Sequence, residues 1–221
     1  MRCVRIWFNK KGKSRFISHL DLMRTMTRAI RRSKIPLWYT EGFNPHPYMT
    51  FSLPLSLGME SICESMDIKI EGEITNEEIF SMLKDTMPEG IEITNVTDGI
   101  TDPKYIAFGK FDINFFDVSH KDAFVAFLED MLSREELIVQ KLGKKGRRKV
   151  LKDINLMEFI KEYAIEKNEE AVTLSVTLPA GSTTNVNPSL LADEIQKQYS
   201  EEIYYVLLRK ELYLEDMTEF R

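Results

Sequence analysis

The sequence contains no long hydrophobic run. Among its 221 residues, 43% are hydrophobic and 29% are charged, as in an ordinary globular protein. No apolar stretch approaches the roughly 20 residues that a membrane-spanning helix needs. Charges interrupt the first eight residues and no small-residue cleavage site follows, so a signal peptide is not expected. We therefore predict a cytoplasmic protein without a membrane partner.

Cysteine is also scarce. Cys3 and Cys63 are the two cysteines of the chain, whereas a zinc site or an iron–sulfur cluster normally takes three or four close ligands. In a cytosolic protein two isolated cysteines are most simply buried thiols. The sequence therefore predicts no cofactor and no resident metal.

Positive charge is concentrated at the start of the chain. Residues 1–48 contain eleven Lys and Arg but two Asp and Glu, which gives a net charge of +9, whereas the whole chain carries −5 and the remainder therefore −14. Such asymmetry favours an anionic partner at one end. We expect a basic functional surface within the first fifty residues, for RNA or another phosphate-bearing partner.

The order of predicted elements indicates an α+β fold. Alternating residues at 2–8 predict a strand, and they are followed by a helix from Ser18, two strands, a helix from Asn76 and a strand at 91–96. Strand, helix, two strands, helix and strand is the ferredoxin-like (split βαβ) order. A comparable order recurs after a turn near residue 100. We predict two ferredoxin-like domains in tandem, 1–98 and 103–221.

The first helix carries a stripe of arginines. Ser18 with Asp21 three residues later is typical of a helix N-terminus, and Leu20, Met23, Met26 and Ile30 have the spacing of a core-facing side. Arg24, Arg28 and Arg31 stand at i, i+4 and i+7 and share another face. Arginine forks suit phosphate, so the stripe favours a phosphate contact. The alternative is an ordinary solvated helix face.

A rigid loop follows this helix. Two prolines fix the backbone of Gly42-Phe43-Asn44-Pro45-His46-Pro47, and a prefixed loop loses less entropy when it binds. Asn44 and His46 would be presented on it, with Phe43 and Tyr48 available for base stacking. A structural turn in which His46 bonds locally is at least an equal interpretation.

Two of the three histidines fall in these motifs. His19, Asp21 and His46 would serve as acid, base and orienter if they converge, or as a sparse metal site with Glu60 or Glu64. Capping and packing are the alternative roles. A further basic segment, Lys144–Lys149, is interpreted as a solvated hairpin tip or a second phosphate contact.

Four stretches carry a resemblance to a known family. They are Arg15-Phe16-Ile17-Ser18-His19-Leu20-Asp21-Leu22-Met23-Arg24, Arg28-Ala29-Ile30-Arg31-Arg32, Gly42-Phe43-Asn44-Pro45-His46-Pro47 and Leu55-Ser56-Leu57-Gly58-Met59-Glu60-Ser61. They resemble the bacterial radical SAM-linked domain family, whose members stand alone or follow a radical-SAM domain, some in association with a ribonuclease of the E/G type. The resemblance implies a radical-SAM partner on a separate chain and an RNA-linked context, but no reaction.

Three functions remain open. The first is an accessory protein that binds RNA or a phosphate-bearing substrate for a radical-SAM enzyme. The others are a His-dependent ribonuclease-like enzyme, an analogy of fold alone, and a subunit whose basic face docks the radical-SAM partner. The first is favoured, so the chain is not expected to be an enzyme on its own. The candidate binding residues are Arg15, Ser18, His19, Arg24, Arg28, Arg31, Phe43, Asn44 and His46.

Overall fold

The computed structural model describes residues 1–145 and 148–221, without the side chains of residues 142–149. Its helices are α1 (His19–Ser33), α2 (Asn76–Leu83), α3 (Lys121–Leu132) and α4 (Ser189–Gln198). Its strands are β1 (Arg2–Lys10), β2 (Met49–Phe51), β3 (Glu60–Ile70), β4 (Ile91–Asp98), β5 (Phe108–Phe116), β6 (Ile138–Lys145), β7 (Arg148–Asn155), β8 (Glu162–Lys167), β9 (Ala171–Pro179) and β10 (Tyr204–Tyr213). The α+β class is confirmed. Among the described residues, no helix combines the length and apolar character that crossing a bilayer requires.

The chain divides into two compact units. Unit 1 comprises Met1–Tyr105 with Arg209–Glu211 and Glu219–Arg221, and unit 2 comprises Ile106–Leu208 with Leu212–Thr218. The domain ranges 1–98 and 103–221 stay a prediction. Local sequence patterns gave no sign that two short C-terminal segments belong to the first unit.

Unit 1 is built on an antiparallel sheet. Its strands lie in the order β4-β1-β3, and β2 also pairs with β3. Alternate residues of β1 (Val4, Ile6 and Phe8) are buried, and Val4 stands opposite Ile68 in β3. Residues of α1 and α2 complete the same hydrophobic core. The period-two pattern of β1 thus places one face of the sheet under the two helices.

Unit 2 contains the strand order β10-β5-β9-β8, and β6 and β7 form a separate antiparallel hairpin. β5 pairs antiparallel with β9, and β9 with β8. The Phe115 ring of β5 meets the Phe124 ring of α3 edge-on at 5.0 Å between centroids. Aromatic packing therefore joins helix to sheet in this unit.

The first helix begins as the sequence predicts. The Ser18 hydroxyl accepts a hydrogen bond from the Asp21 backbone N–H at 3.2 Å, which satisfies one of the free donors at the helix start. The buried face holds Met26 and Ile30 but not Leu20, whose side chain is 63% exposed. The prediction that Leu20 faces the core is wrong. Met26 is six positions further along the helix, so Leu20 points about 120° away from the buried face.

Ion pairs lie within the core of unit 1. Arg5, 1% exposed, donates from Nε and Nη2 to the two carboxylate oxygens of Asp67 at 2.7 and 2.9 Å. Its Nη2 also donates to the Thr101 carbonyl oxygen at 2.7 Å, and its guanidinium lies over the Phe220 ring. Buried charges need such pairing to offset their desolvation. A second buried pair joins Arg209 to Glu64.

Candidate nucleic-acid interface

Three arginines line one exposed side of α1. Arg24, Arg28 and Arg31 are exposed and fall within about 60° around the helix axis, over a rise of about 10 Å. Arg24 Nη1 pairs with Asp21 Oδ1 at 3.1 Å. Within the described residues, no carboxylate pairs with Arg28 or Arg31. We call Arg24, Arg28 and Arg31 the arginine stripe.

Several other positively charged residues among residues 1–48 are buried or lie next to a carboxylate. Arg5 and Lys10 are each 1% exposed, Arg2 Nη1 lies 3.7 Å from Asp98 Oδ1, and Arg15 Nη1 lies 3.5 Å from Glu60 Oε1. The excess of charge counted over residues 1–48 is therefore not spread over one surface. It is the helix, rather than the whole segment, that presents exposed arginines in a row.

Asp21 organises the start of the stripe. Its carboxylate accepts hydrogen bonds from the Ser18 hydroxyl at 2.8 Å and from Arg24 Nη1 at 3.1 Å. These bonds hold the pKa of Asp21 below its usual value, because they favour the charged form. The carboxylate therefore stays ionised at neutral pH and orients Arg24.

His19 is the first residue of α1. Its ring meets the Phe51 ring of β2 edge-on, with 5.1 Å between centroids. This contact ties the beginning of the helix to the sheet. The structure thus places His19 in a packing role beside the exposed first turn.

The proline-containing loop is closed by its own residues. Thr40 N–H donates to the His46 carbonyl oxygen at 2.9 Å, and His46 N–H donates to the Thr40 hydroxyl at 3.2 Å. His46 Nδ1 lies 3.0 Å from the Asn44 carbonyl oxygen. The Thr40 hydroxyl oxygen lies 3.1 Å from the same Nδ1. The local bond predicted as one alternative for His46 is present.

The two aromatic residues proposed for stacking differ in their surroundings. Phe43 is fully exposed at the loop tip. Tyr48 lies under Lys69, whose Nζ is 4.3 Å from its ring centroid, and beside Trp38 at 6.3 Å between centroids. Tyr48 therefore already has packing partners, and Phe43 is the aromatic side chain that the loop offers to solvent.

A cation–π contact links the loop to the stripe. The Arg31 guanidinium carbon lies 5.9 Å from the centroid of the Tyr39 ring. Tyr39 pairs with Pro47 at the base of the loop, next to the Thr40–His46 pair. The loop base is therefore beside the C-terminal half of α1.

The structure does not join the three candidate catalytic residues by contacts. His19 and Asp21 contact Phe51 and Arg24 respectively, whereas the His46 bonds lie within the loop. Over residues 1–145 and 148–221, no three His, Cys, Asp or Glu side chains are grouped as a metal site would require. Of the two proposed metal-binding glutamates, Glu60 pairs with Arg15 and Glu64 with Arg209. The side chains of Lys144–Lys149 lie outside the described residues.

Lys10 is a residue that the functional reasoning missed. Its Nζ donates to the carbonyl oxygens of Arg15 and Ile17 at 3.4 and 3.5 Å, directly before the Ser18 cap. Burial lowers the pKa of Lys10, although the neighbouring Glu64 carboxylate opposes this shift. A signal was available, since Lys10 continues the buried alternation of Val4, Ile6 and Phe8. Its role is to hold the segment that leads into α1.

The Cys63 thiol provides a pH-dependent prediction for this region. Burial raises the pKa of Cys63 to about 11, so the reactive thiolate is rare at neutral pH. We expect iodoacetamide to modify Cys63 in the folded protein slowly at pH 8 and faster as the pH approaches 11, as followed by mass spectrometry. Denatured protein at pH 8 is the control and should react readily. Equal rates in folded and denatured protein at pH 8 would contradict the burial.

Comparisons with known proteins identify a similar solved structure and a matching family. A chain of the solved structure described as "Crystal Structure of a Cbf5-Nop10-Gar1 Complex" is 8% identical, with a TM-score of 0.51, over 95% of this chain and 48% of that chain. The chain thus spans about half the length of that protein, and at this identity the likeness shows the fold alone. The comparison with curated proteins gave no match. Residues 3–188 match the family described as "Uncharacterized protein conserved in bacteria (DUF2344)", and the chain belongs to this family.

Proposed function

We propose that this chain is an accessory protein that binds RNA for a separate radical-SAM enzyme. One observation carries the proposal: Arg28 and Arg31 are exposed in line with Arg24 and, within the described residues, have no carboxylate partner. Like charges at this spacing cost a few tenths of a kcal/mol per pair on an isolated helix. A phosphate backbone would offset that repulsion.

The surroundings of the stripe favour a nucleic acid over a small anion. The stripe extends over about 10 Å of helix, which is more than one phosphate group needs. The exposed Phe43 projects from a loop whose base contacts Arg31 through Tyr39. Arginines with a neighbouring free aromatic ring are the combination with which proteins hold a backbone and its bases.

The radical-SAM partner is part of the proposal and rests on the family resemblance. Apolar side chains exposed near the start of α1 support a protein contact there. They are Phe16, Leu20 and Leu57, and the Gly58 N–H beside Leu57 donates to the Arg15 carbonyl oxygen beside Phe16 at 2.9 Å. Co-expression of the two chains, followed by gel filtration, should give one complex. Separate elution of both chains would remove this part of the proposal.

The contacts of the candidate acid–base residues favour binding over catalysis. His19 packs on Phe51, Asp21 orients Arg24, and His46 closes its loop. Each residue thus has a structural task that does not require a reaction. We assign no ribonuclease step to the chain.

The fold proposal is that each unit is ferredoxin-like. In unit 1 the order β4-β1-β3, with β2 pairing β3, and the helices α1 and α2 support it. In unit 2 the order β10-β5-β9-β8 and the helices α3 and α4 support the same arrangement, with β6 and β7 as an added hairpin. Both orders are those expected of a split βαβ unit.

A salt titration tests the RNA proposal. We expect the purified protein to bind bulk tRNA with an affinity that falls as salt rises. The slope of log affinity against log salt should be about −2 to −3, because each phosphate contact contributes about 0.7 to 0.9. Fluorescence anisotropy of labelled tRNA between about 50 and 200 mM salt measures it. Binding that is undetectable or independent of salt would overturn the proposal.

A further inference from the structure

The loop tip presents an aromatic ring that the fold itself does not use. Phe43 is fully exposed, next to Gly42, whose φ of 134° is in the region that favours glycine. Leaving a Phe side chain in water forgoes the stabilisation that its burial would contribute. The loop is therefore built to hold this ring outside the core.

The base of the loop is rigid where the ring is mounted. The pairs Tyr39–Pro47 and Thr40–His46 close it, and His46 Nδ1 lies 3.0 Å from the Asn44 carbonyl oxygen within it. Phe43 is thus presented by a frame that is ordered before a ligand arrives. A preordered aromatic ring loses little conformational entropy when it stacks.

The loop that carries Phe43 lies beside a positively charged residue of the arginine stripe. Through Tyr39, the loop base contacts Arg31, which ends the arginine stripe. A strand whose phosphates follow the stripe would bring its bases toward the loop. A base inside an A-form duplex cannot stack on Phe43, because it is already stacked on its neighbours and the deep groove excludes side chains, whereas an unpaired base can.

We infer that this site takes a single-stranded segment of RNA, with one unpaired base stacked on Phe43 and the adjoining phosphates on Arg24, Arg28 and Arg31. The inference rests on the proposed RNA-binding function and narrows it to a class of RNA. Phe43 would discriminate single-stranded from double-stranded RNA, whereas the arginine stripe would contribute affinity for both.

The test compares Phe43→Ala with wild type on two probes, an unstructured 12-nucleotide oligouridine and a 12-base-pair RNA duplex, by fluorescence anisotropy. Wild type should bind oligouridine more tightly than duplex. Phe43→Ala should weaken oligouridine binding about 5- to 150-fold, the factor for about 1–3 kcal/mol per stacked base, and leave duplex binding unchanged. Phe43→Trp should retain oligouridine binding, because it keeps a stacking surface.

A matched control is Tyr105→Ala, which removes another exposed aromatic ring of unit 1 and should change neither affinity. Phe43→Ala and Phe43→Trp should unfold at the same temperature as wild type, since Phe43 buries no surface. If wild type binds duplex as tightly as oligouridine, or Phe43→Ala binds both as wild type does, the inference fails while RNA binding stands. If wild type binds neither probe nor bulk tRNA, the proposed function fails first.

Discussion

Reversing two charges of the stripe, in Arg28→Glu/Arg31→Glu, is expected to weaken tRNA binding roughly 20- to 60-fold at about 0.1 M salt. Each lost phosphate contact removes about 0.7 to 0.9 units from the slope of log affinity against log salt. The slope should therefore flatten by nearly two units in the same titration. Both side chains are exposed, so the loss of the Arg31–Tyr39 contact and the acid placed in the last turn of α1 should together lower the free energy of unfolding by only about 1–2 kcal/mol.

The matched control reverses two exposed lysines of unit 2, in Lys152→Glu/Lys161→Glu. It makes the same change in net charge and should leave affinity and slope close to those of wild type. An equal loss in both variants would show that net charge, rather than the stripe, governs binding. Undiminished binding by Arg28→Glu/Arg31→Glu would remove the stripe from the site.

The second large effect concerns stability. Arg5→Met is expected to lower the free energy of unfolding by about 3–5 kcal/mol, because it leaves the Asp67 carboxylate in the core without its cation. Asp67 otherwise receives two hydrogen bonds from Arg5, at 2.7 and 2.9 Å. Urea unfolding followed by circular dichroism measures the change. Arg5→Met/Asp67→Leu should recover most of the loss, since neither charge then remains.

Arg2→Met is the control for this prediction. Arg2 lies on the same strand and pairs with Asp98 at 3.7 Å, and its Nη2 donates to the Ile74 carbonyl oxygen and Asn76 Oδ1 at 2.9 Å, but its side chain and that of Asp98 are substantially exposed. Exposed ion pairs contribute about 0–1 kcal/mol. A loss in Arg5→Met no greater than that in Arg2→Met would show that the buried pair does not stabilise the core.

Local patterns in the sequence predicted the elements well. The Ser18 cap, the start of α2 at Asn76 and the alternation of β1 all appear in the structure, because each depends on residues close together in the chain. The prediction that Leu20 faces the core was wrong because two different sets of apolar residues have helical spacing in this helix. The buried face follows Leu22, Met26 and Ile30 instead.

The candidate site was less predictable for a different reason. Spacing alone identified the arginines of α1, because helical geometry fixes which residues share a side. Arg5 pairs with Asp67, which is 62 residues away in the sequence, and Arg15 pairs with Glu60, which is 45 residues away. These pairs make both arginines less available to a ligand. No local rule connects residues at such separations. The same limit applies to Tyr48, whose ring is covered by Lys69.

The assignment of Arg209–Glu211 and Glu219–Arg221 to unit 1 has a consequence for synthesis. Until residues 209–220 have left the ribosome, Glu64 lacks Arg209, and the Arg5 guanidinium lacks the Phe220 ring that lies 4.5 Å from it in the folded protein. The core of the N-terminal unit is therefore completed only after residues 209–220 have emerged. Translation that stops at residue 105 would release a chain in which Glu64 lacks its arginine partner and Arg5 lacks its aromatic cover, a natural substrate for chaperones and proteases.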